Sequence, residues 1–276
     1  MNDKQPLFGS DAYSPQEIAE RVERVGVVKA RLPFMKLFML GILAGAFIGL
    51  GAMFYTLVVS DVSLGFATGR VLGGVAFSLG LILVSVAGAE LFTGNNLLAM
   101  AWADGRIATT EVLRNWAVVC TANFIGGAGL AVLVHLSGHA QMNDGAIAAQ
   151  YARIAAVKCT LPFWQAFLSG VLCNVLVCLA VWMSFAGRSV VDKAVAIVFP
   201  ITAFVAAGFE HSVANMYFIP MGVLLAHDDP SLKSEAGIHL MGLLHNLLPV
   251  ILGNLVGGSG FVALVYHLIY RKRPGS

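Results

Sequence analysis

Helix-length apolar stretches alternate with short charged segments along most of the chain. Uncharged runs extend over Leu37 to Ser60, Val71 to Ala89, Asn115 to Asn143, Cys159 to Gly187, Ala194 to Phe209 and Ala236 to Tyr270. A helix needs roughly 20 apolar residues to cross a bilayer. The second run resumes after Glu90 with 13 more uncharged residues, Leu91 to Ala103, and the fifth resumes after Glu210-His211 as far as Ala226. Each of these two is read as one long span interrupted by ionisable residues, so the pattern predicts six membrane helices with the second and fifth broken. Ahead of them, Ser14-Pro15-Gln16-Glu17 has the form of a capping box with Pro at the first helical position, and Ile18, Val22 and Val25 follow on one face. The chain is accordingly divided into an N-terminal amphipathic segment, 1–33, on the cytoplasmic side and a pore domain, 34–273.

Composition agrees with a membrane protein. Apolar residues make up 58% and charged residues 12%, with a mean hydropathy of +0.81, outside the range of soluble globules. Seventeen Lys and Arg against 15 Asp and Glu leave a net charge of +2, which excludes the basic surface that a nucleic-acid partner would need. The four cysteines, Cys120, Cys159, Cys173 and Cys178, show neither C-x-x-C nor zinc-like Cys/His spacing, so they are read as buried thiols and no metal or other cofactor is expected. The first 36 residues are punctuated by charge, so a cleaved signal peptide is not expected. With the N-terminus inside, six spans place 13 of the 17 basic residues on the cytoplasmic side and leave Arg70, Arg153, Lys158 and Lys233 outside. The positive-inside rule therefore predicts that both termini are cytoplasmic.

The chain also repeats itself. Val28-Lys29-x-x-Leu32-Pro33-Phe34-x-x-x-Phe38-x-x-Gly41-x-Leu43 recurs 129 residues later as Val157-Lys158-x-x-Leu161-Pro162-Phe163-x-x-x-Phe167-x-x-Gly170-x-Leu172. Asn123-x-x-Gly126-Gly127-x-Gly129 in the third span recurs as Asn254-x-x-Gly257-Gly258-x-Gly260 in the sixth. The interruptions match as well, Gly88-x-Glu90 with Asn95 against Gly208-x-Glu210 with Asn215. Each half holds three spans, an odd number, so the second half enters the membrane from the opposite face. This predicts an inverted 3+3 repeat whose broken helices meet near the midplane around a substrate site.

Within that site His211 is the candidate for chemistry, because an ionisable side chain inside a span is a functional hypothesis by default and imidazole exchanges protons near neutral pH. Glu90 and Glu210 are expected to accept hydrogen bonds from backbone N–H groups freed at the breaks, with direct proton transfer as the alternative role. Phe77, Leu81, Leu91, Phe92 and Phe204 lie close enough to the breaks to form apolar collars. Lys158 is expected at the outer start of the fourth span, where it would attract anions, with Lys29 as its counterpart inside.

Ala89-Glu90-Leu91-Phe92-Thr93-Gly94 and Gly208-Phe209-Glu210-His211-Ser212-Val213-Ala214-Asn215-Met216 resemble the two signature segments of the formate/nitrite transporter family. Phe77 to Leu83, Val177 to Ser184 and Gly187-Arg188-Ser189 are most similar to its formate channels, whereas Gly94 after Thr93 is closer to the nitrite-type pattern. The resemblance covers nearly the whole chain. It implies an aquaporin-like protomer in a homopentamer of a bacterial cytoplasmic (inner) membrane, each protomer carrying its own pore for formate or a similar small anion, with protons taking part. By the same resemblance, His211 is the central histidine, Thr93 the threonine of the first broken loop, Glu210 its glutamate neighbour, Lys158 the vestibule lysine and Asn174 an asparagine of the fourth span. Phe77, Leu81, Leu91, Phe92 and Phe204 are its constriction residues. The N-terminal helix is implied as a cytoplasmic lid and as the place where a formate-producing enzyme would act. Nitrite and hydrosulfide are the alternatives within the family. Outside it, a neutral-solute pore is the competing class, while an intramembrane enzyme lacks H-E-x-x-H, paired aspartates and G-x-S-x-G.

Overall fold

The computed structural model describes residues 12–229 and 238–270. Helix α1, Pro15–Ala30, begins with the reciprocal cap expected of its sequence. Glu17 N–H donates to Ser14 Oγ at 3.3 Å, and Ser14 N–H donates to Glu17 Oε2 at 2.7 Å. Pro33 and Pro162 precede the two long helices that open the halves, α2 (Phe34–Val59) and α7 (Phe163–Ser184). Between them lie α3 (Phe66–Leu83, continued by a π-turn through Gly88), α4 (Leu98–Ala103, preceded by a 3₁₀ turn from Gly94), α5 (Thr109–Leu136) and α6 (Ala146–Thr160). The second half continues with α8 (Val190–Ala207), α9 (Ser212–Asp228), α10 (Leu240–Leu255, continued as a π-helix to Leu264) and α11 (Val265–Tyr270).

Six helices among the described residues are long and apolar enough to cross a membrane: Phe34–Val59, Phe66–Gly88, Thr109–Leu136, Phe163–Ser184, Val190–Ala207 and Met241–Tyr270. The protein is an all-α membrane protein built as two inverted halves of three spans, α3 and α8 being the broken members. The pairing of elements repeats as well: α2 packs along α5 as α7 packs along α10.

Helix α6 corrects the sequence reading, which left its residues between the third and fourth spans. Arg153, Lys158 and a run of alanines keep its hydropathy too low for a span, yet Ile147, Tyr151, Ala152, Ala155 and Cys159 form one buried face. It stands immediately before the fourth span as α1 stands before the first, so each half opens with an interfacial helix. The third span consequently ends at Leu136 and the fourth begins at Phe163. Lys158 therefore lies in the last turn of α6 and not on the fourth span. The breaks are also unequal, since only the short α4 follows the first whereas the 17-residue α9 follows the second. Cys159, Cys173 and Cys178 are buried and Cys120 is half-buried. Lys4, Lys233, Arg271 to Arg273, the predicted start of the sixth span at Ala236 and the outer ends of both predicted domains lie outside the described residues.

Candidate functional site

Both breaks are made by backbone that leaves the helical region. Gly88 (φ +84°) and Gly208 (φ +80°) end the first half-helices in the left-handed conformation that glycine adopts most readily. A helix broken inside a membrane exposes N–H and C=O groups that lipid cannot satisfy. Asparagines from the facing spans take them up. Asn123 accepts from Phe92 N–H at 2.9 Å and donates to the carbonyls of Gly41 (2.7 Å) and Glu90 (3.0 Å). Asn254 mirrors it, accepting from Ser212 N–H at 3.0 Å and donating to Gly170 O (2.8 Å) and Glu210 O (3.1 Å).

This overturns the expectation that Glu90 and Glu210 would accept the freed backbone N–H groups. Their carboxylates are buried, and a buried charge requires a partner of opposite sign as well as hydrogen bonds. Lys29 Nζ lies 3.0 Å from Glu90 Oε1, and Lys158 Nζ lies 2.8 Å from Glu210 Oε1. Asn95 donates to Glu90 at 2.8 Å and to Asn115 at 2.9 Å; Asn215 donates to Glu210 and to Asn246, both at 2.7 Å. Asn115 and Asn246 then donate to the carbonyls of Lys29 and Lys158. Each break is thus fastened to its interfacial helix by an equivalent Lys–Glu–Asn–Asn chain. The sequence carried these asparagines in matched positions, which was the available signal, but nothing in the pattern said what they bond.

The halves differ in the residues that follow each glutamate. In the repeat, His211 stands opposite Leu91, and Thr93 opposite Val213. His211 Nε2 lies 2.9 Å from Thr93 Oγ1, both residues being buried, and His211 Nδ1 accepts Ala214 N–H at 3.1 Å as the N-cap of α9. An accepting Nδ1 carries no proton, so in this geometry the neutral ring holds its hydrogen on Nε2 and donates it to Thr93. The Thr93 hydroxyl proton is then free to point elsewhere.

Two cavities share no lining residue, the first bordered by His211 and the second by Leu91 and Gly94, either side of Thr93 in the chain. One, of about 430 Å³, is bordered by Phe77, Phe204, His211, Lys158 and Arg70. The other, of about 380 Å³, is bordered by Leu81, Leu91, Lys29 and Val22 of α1. Phe77 and Phe204 meet edge to face with ring centroids 5.7 Å apart, and Phe204 stacks on His211 at 5.8 Å. The phenylalanines thus stand beside the histidine on the wall of the first cavity, and the leucines line the second. Phe92, Thr93 and Asn174 border neither cavity. Phe92 is engaged through its backbone, while Asn174 donates to Asn254 O (2.7 Å), Asn96 Oδ1 (2.9 Å) and Thr93 O (3.3 Å). Asn174 accordingly positions the threonine loop from behind. Arg70, which the sequence reading placed only by side, donates to Ala206 O and Val205 O at 2.9 Å and so caps the end of α8.

A profile of the formate/nitrite transporter family matches residues 16–268. The formate channel FocA of Haemophilus influenzae is 40% identical over 272 residues, covering 94% of this chain and 95% of that protein. FocA of Escherichia coli K12 is 39% identical over 273 residues, covering 95% and 96%. Among solved structures, a pentameric formate channel with formate bound superimposes with a TM-score of 0.81 at 39% identity, covering 87% of this chain and 98% of that one. An ion channel of the same family superimposes with a TM-score of 0.80 at 29% identity, covering 92% and 98%.

Proposed function

Since the chain belongs to the formate/nitrite transporter family, we propose that it is a formate channel of a bacterial cytoplasmic membrane, a homopentamer with one proton-linked pore in each protomer and no enzymatic activity. The observation that carries this reading is the hydrogen-bonded pair of His211 and Thr93, with His211 on the wall of one cavity beside Phe77 and Phe204 and a second cavity lined by Leu81 and Leu91. Formate arrives as an anion in a cavity whose wall holds Lys158, Arg70 and Arg153. Crossing a dry collar as an ion costs several kcal/mol even after the surroundings relax. Forming the acid at pH 7, for an acid of pKa roughly 3.8, costs about 4 kcal/mol. The protonated route is therefore competitive once a donor is positioned, and imidazole is the side chain for it.

In this mechanism the anion accepts the Thr93 hydroxyl proton in a hydrogen bond while Thr93 Oγ accepts from His211 Nε2. To act as the donor, the ring first takes a proton from cavity water at Nδ1, releasing Ala214 N–H; the imidazolium then gives its Nε2 proton to Thr93 Oγ as Thr93 gives its own to formate, and the ring returns to neutral. The Nδ1 bond to Ala214 N–H keeps the resting ring neutral, since a doubly protonated ring would have to give up that cap. The excess of basic residues on the α1 side supports cytoplasmic termini, and α1, which lines the second cavity, is then the cytoplasmic lid.

The test is uptake of radiolabelled formate into proteoliposomes at external pH of about 5.5 and 7.5, either side of the ordinary histidine value, with nitrite, hydrosulfide and lactate as competitors. Formate flux that varies with pH in the native protein and loses that variation in His211→Asn is expected. Strong flux of a competitor without formate flux would keep the fold and overturn the substrate, whereas an unchanged pH profile in the variant would remove the histidine from the mechanism.

A further inference from the structure

Away from the pore, three elements converge where α1 packs on α4 and touches α11. They bring together Glu23 of α1, Asp104 just beyond α4 and His267 of α11, whose potential ligand atoms all lie within 4.8 Å of one another. His267 is 7% exposed, and its Nδ1 is buried without a hydrogen-bond partner among the described residues. The nitrogen faces the cluster: the Glu23 Oε1 atom lies 3.8 Å away, beyond hydrogen-bond reach. Burial first, and then the Asp104 charge, hold the Glu23 carboxyl above its ordinary range against the pull of Arg106 and His267. Arg106 approaches both acids, at 3.7 Å from Glu23 and 3.6 Å from Asp104, well outside the 2.7–2.9 Å of a charge-assisted bond. Two carboxylates, an orphaned imidazole nitrogen and one loosely placed guanidinium leave this cluster short of bonds.

We propose that Glu23, Asp104 and His267 form a site for a zinc-class divalent transition cation that ties the N-terminal helix α1 to the C-terminal helix α11. Zinc bonds of about 2.0–2.2 Å in a tetrahedron put neighbouring ligand atoms about 3.4 Å apart. Side-chain shifts on the order of 1 Å close the cluster to that size. An imidazole with two carboxylates suits zinc, whereas magnesium and calcium take sets of oxygen ligands. The exposed Asp104 leaves a route in and an open fourth position for solvent. Arg106, whose side chain is 43% exposed, is free to swing into solvent as the ion replaces it. Because Val22, Val25, Gly26 and Lys29 of α1 line the second cavity, a bound ion would hold that cavity in its present shape.

Tag-free full-length protein in detergent, stripped with EDTA, would be titrated with Zn²⁺ against a chromophoric chelator. One zinc per chain is expected, with His267→Gln and Asp104→Asn each weakening it by about tenfold or more, a loss at least as large as that from removing an outer-shell partner. Arg106→Gln should tighten binding, because it removes the competing cation. Hydrogen exchange of α1 amides should slow on adding Zn²⁺ to the native protein and not to Asp104→Asn. That position is exposed, so this variant tests the site even where His267→Gln fails to fold. Zinc binding that survives both substitutions, binding weakened by Arg106→Gln, equal affinity for Mg²⁺, or no binding at micromolar zinc would each overturn the proposal. None of these measurements depends on what the pore carries.

Discussion

Glu210 and Glu90 hold equivalent places in the two halves, but their surroundings are not equally tight. Glu210 receives Lys158 at 2.8 Å, Asn215 at 2.7 Å and Asn246 at 3.2 Å, and its lysine is 13% exposed. Glu90 receives Lys29 at 3.0 Å and Asn95 at 2.8 Å, and its lysine is 27% exposed. Removing one member of a buried pair strands the other charge, at a cost of about 3–5 kcal/mol, while a more exposed pair loses less. Lys158→Ala should therefore lower the midpoint of thermal unfolding in detergent more than Lys29→Ala does, and Lys158→Ala with Glu210→Gln should recover part of the loss. Equal midpoints for the two single variants would mean that water, and not Lys158, balances Glu210. All four residues were legible in the sequence as repeat mates and intramembrane carboxylates. Their pairing was not, because Lys158 and Glu210 are 52 residues apart and meet only once α6 has docked beside the second break.

At the scale of the element, the crossings of α2 with α5 and of α7 with α10 depend on backbone contact. A Cβ on Gly126 would run into the Ile42 carbonyl, and one on Gly257 into the Val171 carbonyl. Backbone cannot step aside as a side chain can, so each substitution must separate two helices. Gly126→Ala is expected to cost about 1–3 kcal/mol, seen as a lower unfolding midpoint or loss of the assembled protein on size exclusion. Gly129, one turn on in the same helix, has no atom of the described residues within 4 Å of where a Cβ would stand. Gly129→Ala should then be neutral or stabilising by up to about 1 kcal/mol, since it removes the entropic cost of a helical glycine. A similar loss at both positions would show that helix propensity, and not the crossing, governs this motif. The repeated Asn-x-x-Gly-Gly-x-Gly was plain in the sequence, yet which glycine touches which carbonyl depends on the crossing point. Helix α6 escaped for a different reason: a half-buried, alanine-rich interfacial helix carries too little hydropathy to be read as a span.

Across the whole molecule, the fifth span is the least covered by its own chain. Val190, Val191, Val195 and Phe199 are 59%, 69%, 52% and 71% exposed, an apolar strip suited to lipid or to a neighbouring copy. The proposed homopentamer predicts five chains by native mass spectrometry of the detergent-released protein. A stable monomer that still transports formate would refute the pentamer without touching the pore.

The sequence by itself determined the membrane class, six spans, the inverted repeat, the two breaks and His211 as an ionisable group within one of them. These follow from hydropathy, from residue-by-residue repetition and from the parity of three spans per half, all of which are local or additive along the chain. Only the tertiary structure decided that Asn123 and Asn254 satisfy the broken backbone, that lysines from α1 and α6 balance the buried glutamates, and that His211 caps α9 while meeting Thr93. It alone also brought His267 to Glu23 and Asp104. Apart from the His211 cap on Ala214 N–H, three residues away, each of these is a contact between residues tens to hundreds of positions apart, set by where the helices cross, and one-dimensional periodicity records which face a residue occupies but not what stands opposite it.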